Sequence, residues 1–360
     1  MVPNEDSLPA AAPGKPARRR SKVLLQRGLE IGVSLLFLWL AVRQIDFRAL
    51  LLALRDADWI YILPAIAGIT AMLLIKSWRW QIMFLPEHKV PFEAVLTAES
   101  AGYLASNVLP GRAGEAIRLV LLASDQPVGA ARVLSTMVIE RLLDTLSLLA
   151  VLAMLLPFLT GLPAWMMDSV KVLTIGAIAG TAIILVLSFW KERVLGWAHA
   201  VFRHVRFLDR PPVYTAIEHL IDGFAALRGR RGPALILLSF AVWAVLIVEV
   251  WGVRMAIAPE VSMTAMVFAL LVTSLGMIVP STPGYIGVFH GLVVLVLAPF
   301  GVATTTAMSL ALVWHAVNYI VLSSAGLIML AVHGTSLGQV VEKWRARGPA
   351  ATAVAAAEEE

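Results

Sequence analysis

The chain contains no cysteine. This absence excludes disulfide bonds, metal sites with thiolate ligands and catalysis by a cysteine nucleophile. It does not identify the compartment, because proteins without disulfides occur in reducing and oxidising compartments alike. The sequence also lacks a Gly-rich nucleotide-binding loop and a Ser-His-Asp arrangement, and its histidines have no carboxylate spacing typical of a metal site. We therefore predict no cofactor and no metal.

Charged residues are scarce. Asp, Glu, Lys and Arg make up 15% of the 360 residues, against about 25% in soluble domains, and residues 261–341 contain none of them. The mean hydropathy is +0.82, and 59% of the residues are hydrophobic. A water-soluble fold could not leave so long a segment uncharged, whereas α-helices satisfy their own backbone hydrogen bonds in lipid. These features predict an all-α polytopic membrane protein.

Apolar segments of suitable length predict about eight transmembrane helices. The expected spans are residues 28–43, 59–75, 134–159, 172–190, 234–257, 263–279, a segment from the break at 280–284 to about 300, and 305–332. They would form a transmembrane domain over residues 23–335.

Basic residues indicate which segments face the cytoplasm. Residues 1–22 end in a basic run and predict a disordered cytoplasmic tail, and residues 336–360 predict a second cytoplasmic tail. The insertion at 191–232 is rich in arginine and has apolar residues at helical spacing. We expect interfacial helices held there by anionic lipid, and no nucleic-acid site. The expected location is a bacterial inner membrane, with both termini in the cytoplasm.

Polar and helix-breaking residues concentrate between the second and third spans. Seven of them lie within twelve residues: Asn107, Pro110, Gly111, Arg112, Gly114, Glu115 and Arg118. Backbone broken by Pro-Gly loses hydrogen bonds in lipid, so it belongs inside protein or beside a wet cavity. Keeping the basic segments on one side also requires that residues 91–122 make no net crossing. We predict a re-entrant hairpin, or two half-helices that dip into the membrane surface, lining a site.

A second break at Pro280–Gly284 has the same pattern as the first. In both segments two aliphatic residues precede a proline, and a glycine follows four residues after that proline. Matching breaks in two halves of a chain are typical of transport sites between structural repeats. We therefore consider two four-helix repeats, with a chance match as the alternative. If the segments before and after the second break each cross the membrane fully, the two repeats would run parallel.

Several of these motifs resemble those of a known family. The stretch Asn107–Arg118 resembles the first signature of the flippase-like membrane family, named after the transmembrane region of lysylphosphatidylglycerol synthases. Glu140–Asp144 resembles its second signature and Pro280–Phe289 its third. Trp78–Trp80 is similar to a recurrent position after the second span. The matches follow the expected order over residues 25–335 and imply a domain that translocates lipid.

Two features depart from the family pattern. His290 stands where a glutamate commonly follows the third signature, so a fixed charge is replaced by a group that is neutral or charged near pH 7. The chain also ends soon after the eighth span, without the aminoacyl-transferase domain of the bifunctional relatives. The resemblance therefore implies the translocating portion and no synthase reaction, and we expect no enzyme.

The first signature predicts a phosphate-binding surface. Arg112, Glu115 and Arg118 share one face if the segment after Gly111 is helical. Such a face would receive a lipid phosphate, with Glu115 orienting an arginine. The alternative is an interfacial helix whose arginines meet lipid headgroups at the membrane surface.

The second signature predicts a charge network. Helical spacing allows Arg141 to pair with Asp144 while Glu140 faces elsewhere. This network would reach Arg112 or Arg118 and would open and close with substrate, or it would serve as a structural clamp. The basic and aromatic residues Lys76–Trp80 predict an anchor at the membrane interface.

These residues lead to a functional hypothesis. The predicted substrate site comprises both signatures above together with Pro280, Pro283, Gly284 and His290. The leading hypothesis is a flippase or lipid-transport protein that moves the headgroup of a phospholipid or an isoprenoid or glycolipid between leaflets. The alternatives are a transferase that uses Glu140 or Asp144 as a base on a lipid-linked substrate, and a non-transporting accessory protein of a membrane-lipid or envelope pathway.

Overall fold

The computed structural model describes residues 51, 54–85, 88–109, 113–189, 231–277 and 283–344, without the side chains of 177, 178 and 181–189. Helices dominate these residues, and no β-strand occurs among them. The helices of ten or more residues are α1 Ile62–Phe84, α2 Phe92–Val108, α3 Ala113–Asp125, α4 Ala130–Leu155, α5 Ala164–Phe189, α6 Gly232–Ile257, α7 Met263–Gly276, α8 Val288–Leu297 and α9 Thr304–Val332. The predicted all-α fold is confirmed.

Long apolar helices confirm a polytopic membrane protein. Within the described residues, four helical segments are long and apolar enough to cross a membrane: Trp59–Phe84, Gly232–Ile257, Pro283–Phe300 and Thr304–Val332. Other predicted regions lie outside the described residues, namely the tail 1–22, the span 28–43, nearly all of the insertion 191–232 and the chain from residue 345 onward. The span at 28–43 and the domain boundaries therefore stay predictions.

Helices α2 and α3 pack against each other as an antiparallel pair, called hairpin 1 below. Gly114 near the start of α3 lies against the carbonyl of Gly102, and Arg118 further along α3 reaches Glu99 further back in α2. Contacts that run in opposite directions along two helices make them antiparallel. A Cβ on Gly114 would come closer to Gly102 O than real Cβ atoms do, so this approach requires glycine.

Hairpin 1 reaches the middle of the bundle and returns to the same end. Helix α2 runs antiparallel to α9, because Thr97 Oγ1 lies 3.1 Å from His333 Nδ1 at one end and Asn107 Nδ2 donates to Ser323 Oγ at 2.9 Å at the other. The 29 residues of α9 extend about 43 Å, more than the hydrocarbon thickness of about 30 Å. Ser323 is five residues from the middle of α9. The inner ends of α2 and α3 thus lie near mid-depth, and the predicted re-entrant hairpin is confirmed.

Helices α7 and α8 form a second antiparallel pair, called hairpin 2. Gly276 at the end of α7 lies against Leu292 of α8, and the rings of Phe268 and Phe300 have centroids 5.9 Å apart at the other end. The backbone before α8 is left-handed at three positions, with φ of 65° at Gly284, 57° at Tyr285 and 90° at Gly287. These conformations suit glycine and are rare for a bulky residue such as tyrosine.

The turn of hairpin 2 lies beside the middle of α9. A Cβ on Gly284 would be 3.0 Å from the Tyr319 ring and 3.3 Å from Asn107 O, and Tyr319 follows the central residue of α9. The outer end of hairpin 2 lies beside the start of α9, since Phe300 precedes α9 by a short turn. Although Pro283–Phe300 is long enough to cross a membrane, this arm accompanies only one half of α9.

The two hairpins therefore enter the bundle from opposite ends. The expected spans six and seven are the two arms of hairpin 2, and the expectation of parallel repeats is wrong. Each half follows the order helix, hairpin, helix: α1, hairpin 1 and α4, then α6, hairpin 2 and α9. This arrangement is an inverted repeat, a common plan of secondary transporters. Sequence counting missed it because an apolar helix has the same composition whether it crosses the bilayer or turns at its centre.

Helices α1 and α6 join the two halves by a close antiparallel contact. A Cβ on Gly68 would be 2.6 Å from Val245 O, and a Cβ on Gly252 would be 2.6 Å from Tyr61 O. Small residues that allow two backbones to approach are the usual device of helix packing in membranes. The contact is reciprocal, as expected for an inverted repeat.

Candidate functional site

Six charged residues from four helices, all buried or mostly buried, form one group, called the ion cluster. Its members are Lys76 and Arg79 of α1, Glu99 of α2, Arg118 of α3, and Glu140 and Asp144 of α4. The Arg79 and Glu99 side chains are fully buried, and Asp144 is the most exposed of the six at 20%. Three positive groups face three negative groups, so the cluster balances its charge inside the bundle.

The α1 members of the ion cluster bind α4. Lys76 Nζ lies 2.8 Å from Asp144 Oδ2 and 3.4 Å from Glu140 Oε1. Arg79 Nη2 lies 2.5 Å from Asp144 Oδ1, and Arg79 Nη1 donates to Ser239 Oγ of α6 at 2.8 Å. Arg79 thus ties α1, α4 and α6 together.

Arg118 connects both arms of hairpin 1 to α4. Its Nη2 lies 2.5 Å from Glu99 Oε2 and also donates to Glu140 Oε2. The guanidinium lies 4.1 Å from the centroid of the Trp80 ring, a cation–π contact, and Trp80 Nε1 donates to Thr136 Oγ1 at 3.0 Å. Two carboxylates and an aromatic face surround Arg118. These contacts join hairpin 1 to α4, and whether Arg118 also binds a substrate stays a prediction.

The ion cluster corrects the predicted interface anchor. Helix α1 continues to Phe84, and Arg79 and Trp80 are fully buried, so both side chains face the inside of the bundle instead of lipid headgroups. Of Trp78 and Trp80, only Trp78 is exposed. The error arose because the apolar run was taken to end at residue 75, whereas carboxylates on neighbouring helices compensate the two cations and let the helix continue.

The predicted pairing of Arg141 with Asp144 is also wrong. Arg141 Nη2 binds Glu115 Oε1 at 2.6 Å, and both side chains are about half exposed. Asp144 instead faces α1 and is bound by its cations. Helical spacing permitted the local pair, but a side chain on another helix competed successfully for each partner. The predicted network between Glu140 and Arg118 is present.

The structure separates the residues of the predicted phosphate-binding face. Arg118 is buried in the ion cluster, whereas Glu115 is exposed and pairs with α4. Pro110, Gly111 and Arg112 lie outside the described residues, as does Pro280. Whether Arg112 faces a substrate stays a prediction.

The two re-entrant hairpins meet at a place that we call the hairpin junction, formed by Asn107, Gly284, Tyr319 and Ser323. Gly114 at the start of α3 and the turn Pro283–Tyr285 before α8 lie beside it. The amino-terminal ends of α3 and α8 therefore both lie near mid-depth. Helix amino termini carry free N–H groups and partial positive charge, which favour anions.

His290 lies next to the hairpin junction in a group of rings. Its ring centroid is 4.9 Å from that of His315, and Phe289 packs edge-on against Trp314 with centroids 5.0 Å apart. Gly287 N lies 3.5 Å from His290 Nδ1, a long hydrogen bond at the start of α8. His290 is buried, and its described ring neighbours are Phe289 and His315.

Sequence reasoning missed Lys76, Arg79 and Glu99 as members of the site. All three stand inside apolar helical runs, where an isolated charge is costly unless it is paired. A charged residue inside an apolar helical run was the available signal that these side chains are paired within the bundle. The role of Tyr319 and Ser323 had no sequence signal, because hydroxyl groups are common in membrane helices.

Comparisons with known proteins show which family the chain is similar to. Residues 28–355 match the family model described as "Lysylphosphatidylglycerol synthase TM region". A UPF0104 membrane protein of Methanothermobacter thermautotrophicus is 21% identical over 320 residues, which cover 80% of this chain and 89% of that protein. Another UPF0104 membrane protein, from Methanocaldococcus jannaschii, is 21% identical over 311 residues, covering 83% and 93%.

A third relative is named as an enzyme. The protein "Glycosyltransferase AglD" of Haloferax volcanii is 24% identical over 357 residues, which cover 86% of this chain and 55% of that protein. No solved structure matches the chain.

Proposed function

We propose that this chain, which belongs to the family of the lysylphosphatidylglycerol synthase transmembrane region, moves lipid headgroups between the two leaflets of a membrane. The observation that carries the proposal is the hairpin junction, where two re-entrant hairpins from opposite ends meet beside the middle of α9. Sites near mid-depth at the interface of inverted repeats are typical of transporters that expose a substrate to each side in turn.

The proposed path places the headgroup at the hairpin junction while the acyl chains stay in lipid. The amino-terminal ends of α3 and α8 attract the phosphate, and Arg112, which directly precedes α3 in the sequence, supplies a positive charge. Asn107 and Tyr319 offer polar groups that replace water around the headgroup. Rocking of one half against the other then opens the site to the second leaflet.

In this mechanism the ion cluster positions hairpin 1 and does not bind the lipid. Its three described cations each have at least one carboxylate partner, so a phosphate would have to displace a buried partner to reach them. Such displacement would leave a carboxylate uncompensated in the bundle, at a cost of about 3–5 kcal/mol. The same pairing argues against Glu140 or Asp144 as a free catalytic base.

The orientation follows from which segments share one end. Trp80, Val133, Leu235 and Leu330 pack in one apolar cluster, which brings together the end of α1, the start of α4, the start of α6 and the end of α9. The open end of hairpin 1 lies there as well. We propose that this end faces the cytoplasm, with the basic insertion and both termini, and that anionic lipid binds the insertion.

Reconstitution tests the proposal. Purified protein is placed in vesicles that contain NBD-labelled phosphatidylglycerol, and the fluorescence lost to external dithionite reports the rate at which the label crosses. We expect Arg112→Ala to abolish translocation and Asn107→Ala to slow it, with unchanged expression. Asp168→Asn serves as a control, because it removes a charge from an exposed pair with Lys171 on α5. Wild-type rates in both test variants would refute the proposed site.

The transferase alternative has support from the relative that is named as a glycosyltransferase. It is distinguished by lipid analysis of membranes with and without the protein, since an enzyme changes the lipids chemically and a flippase does not. We propose that the chain itself is not an enzyme. If the wild-type protein moves no label but purifies with a stable protein partner, the accessory role is favoured instead.

A further inference from the structure

A second buried acid, Glu249 of α6, lies outside the ion cluster. The residue is 1% exposed. Its Oε1 accepts a hydrogen bond from Trp314 Nε1 at 2.9 Å and another from Asn318 Nδ2. Among the described residues, no nitrogen of Lys, Arg or His lies within salt-bridge distance of this carboxylate.

The surroundings of Glu249 contrast with those of the ion-cluster acids. Neutral donors alone offset little of the cost of a carboxylate in an apolar bundle, whereas each ion-cluster acid touches at least one cation. A proton bound to Glu249 removes that charge without moving a helix. Such a group is suited to take up and release a proton during a working cycle.

The other titratable groups around Glu249 are few. Helix α1 contributes Ala65 and Gly68 at this level, and the described helix α7 has no titratable side chain. Helix α9 carries His315 and Tyr319, and α8 carries His290, whose ring lies next to that of His315. On α6 itself, Arg254 donates to the carbonyls of Pro259 and Val261 and so turns away. The Nε2 atom of His315 is buried and has no hydrogen-bond partner in the described structure.

Helix α9 links Glu249 to hairpin 2. Trp314 and Asn318 bind the acid, and their neighbours His315 and Tyr319 face hairpin 2. Trp314 also meets the Phe289 ring of α8 edge-on. One turn of α9 therefore contacts the acid on one side and hairpin 2 on the other.

We propose that Glu249 is a proton-binding site that couples proton movement across the membrane to the motion of hairpin 2. The inference rests on the proposed function and supplies its energy source. With Glu249 charged, its hydrogen bonds with Trp314 and Asn318 are charge-assisted and hold α9 against α6. With Glu249 neutral, these bonds weaken and α9 moves with hairpin 2. A transmembrane proton gradient then drives lipid movement in one direction.

The first test measures the response of lipid translocation to a proton gradient. Vesicles with NBD-labelled phosphatidylglycerol are assayed with an imposed pH gradient and again after an uncoupler has collapsed it. We expect the gradient to speed translocation by the wild type, and Glu249→Gln to lose this stimulation. Glu260→Gln, in the exposed turn after α6, should keep it. A wild type that ignores the gradient, or a Glu249→Gln variant that still responds, overturns the proposal.

The second test needs no lipid movement. Infrared difference spectroscopy between acidic and alkaline buffer detects the C=O band of a protonated carboxylic acid. We expect a band that titrates in the wild type and in Glu260→Gln, and that is lost in Glu249→Gln. If Glu249→Gln fails to fold, Trp314→Phe replaces it, and loss of gradient stimulation is again expected.

The two tests separate the two proposals. A titrating Glu249 band in a protein that moves no lipid would refute the proposed function and leave the proton site intact. Lipid translocation without such a band would refute the proton site and leave the function intact.

Discussion

The two re-entrant hairpins have the same shape and opposite chemistry. Hairpin 1 is held by charge, because Arg118 joins its arms to each other and to α4 through Glu99 and Glu140. Hairpin 2 contains no Asp, Glu, Lys or Arg in its described residues, and rings and methyl groups hold it: Phe289 against Trp314, and Leu292 against Gly276. Both end at the same place beside α9.

This difference suggests a division of labour. Breaking a buried ion pair leaves an uncompensated charge in the bundle, so the pairs of Arg118 fix hairpin 1 to α4. Apolar contacts are non-directional, so hairpin 2 can shift relative to hairpin 1 while it exchanges one set of contacts for another. We infer that hairpin 1 supplies the fixed wall of the site and hairpin 2 the moving one. Three predictions test this comparison.

The largest effect is expected from Arg118→Ala. The change leaves Glu99 and Glu140 buried with fewer cations, and we expect a loss of about 3–5 kcal/mol in the free energy of unfolding. Arg141→Ala removes an arginine whose side chain is 59% exposed, and its pair with Glu115 contributes about 0–1 kcal/mol. Thermal unfolding in detergent measures both. Equal losses in the two variants would contradict the view that charge fixes hairpin 1.

A smaller effect is expected from alanine at the glycines inside each hairpin. In hairpin 1, a Cβ on Gly114 collides with the backbone carbonyl of Gly102, which cannot move alone, so Gly114→Ala should cost about 1–3 kcal/mol. In hairpin 2, a Cβ on Gly276 meets a methyl group of Leu292, which can change its rotamer. Unfolding of Gly276→Ala should therefore differ less from the wild type. A larger loss in hairpin 2 would reverse the assignment of rigid and mobile walls.

The effect of a change at Gly284 is expected mainly in the rate of transport, with a modest loss of stability. Both Gly284 and Gly301 have positive φ, 65° and 75°, and alanine in this region costs about 1–2 kcal/mol. A Cβ on Gly301 would have no atom within 4 Å, whereas one on Gly284 would touch Tyr319 and Asn107. We expect Gly284→Ala to slow the translocation of NBD-labelled lipid and Gly301→Ala to leave it unchanged. The same rate in both variants would show that contact between the hairpins does not matter for transport.

Particular residues show how far the sequence could be interpreted. The Pro-Gly break after Asn107 predicted a re-entrant hairpin because broken backbone cannot face lipid, and the structure confirms it. The second break was recognised, but the end from which hairpin 2 enters the bundle was not. The composition of an apolar helix does not indicate from which end it enters. Arg141 and Asp144 have the spacing of a helical pair, yet each binds a residue on another helix.

The sequence by itself determined that this protein lies in lipid and is built of α-helices. Sparse charge and long apolar runs require helices in lipid, and two Pro-Gly breaks require protected turns. Only the tertiary structure decided which charges meet, which hairpin they hold and where the two turns join. The physical reason is that local spacing restricts which side chains share a face of one helix, whereas a buried ion pair forms with whichever opposite charge the packing of several helices brings within reach.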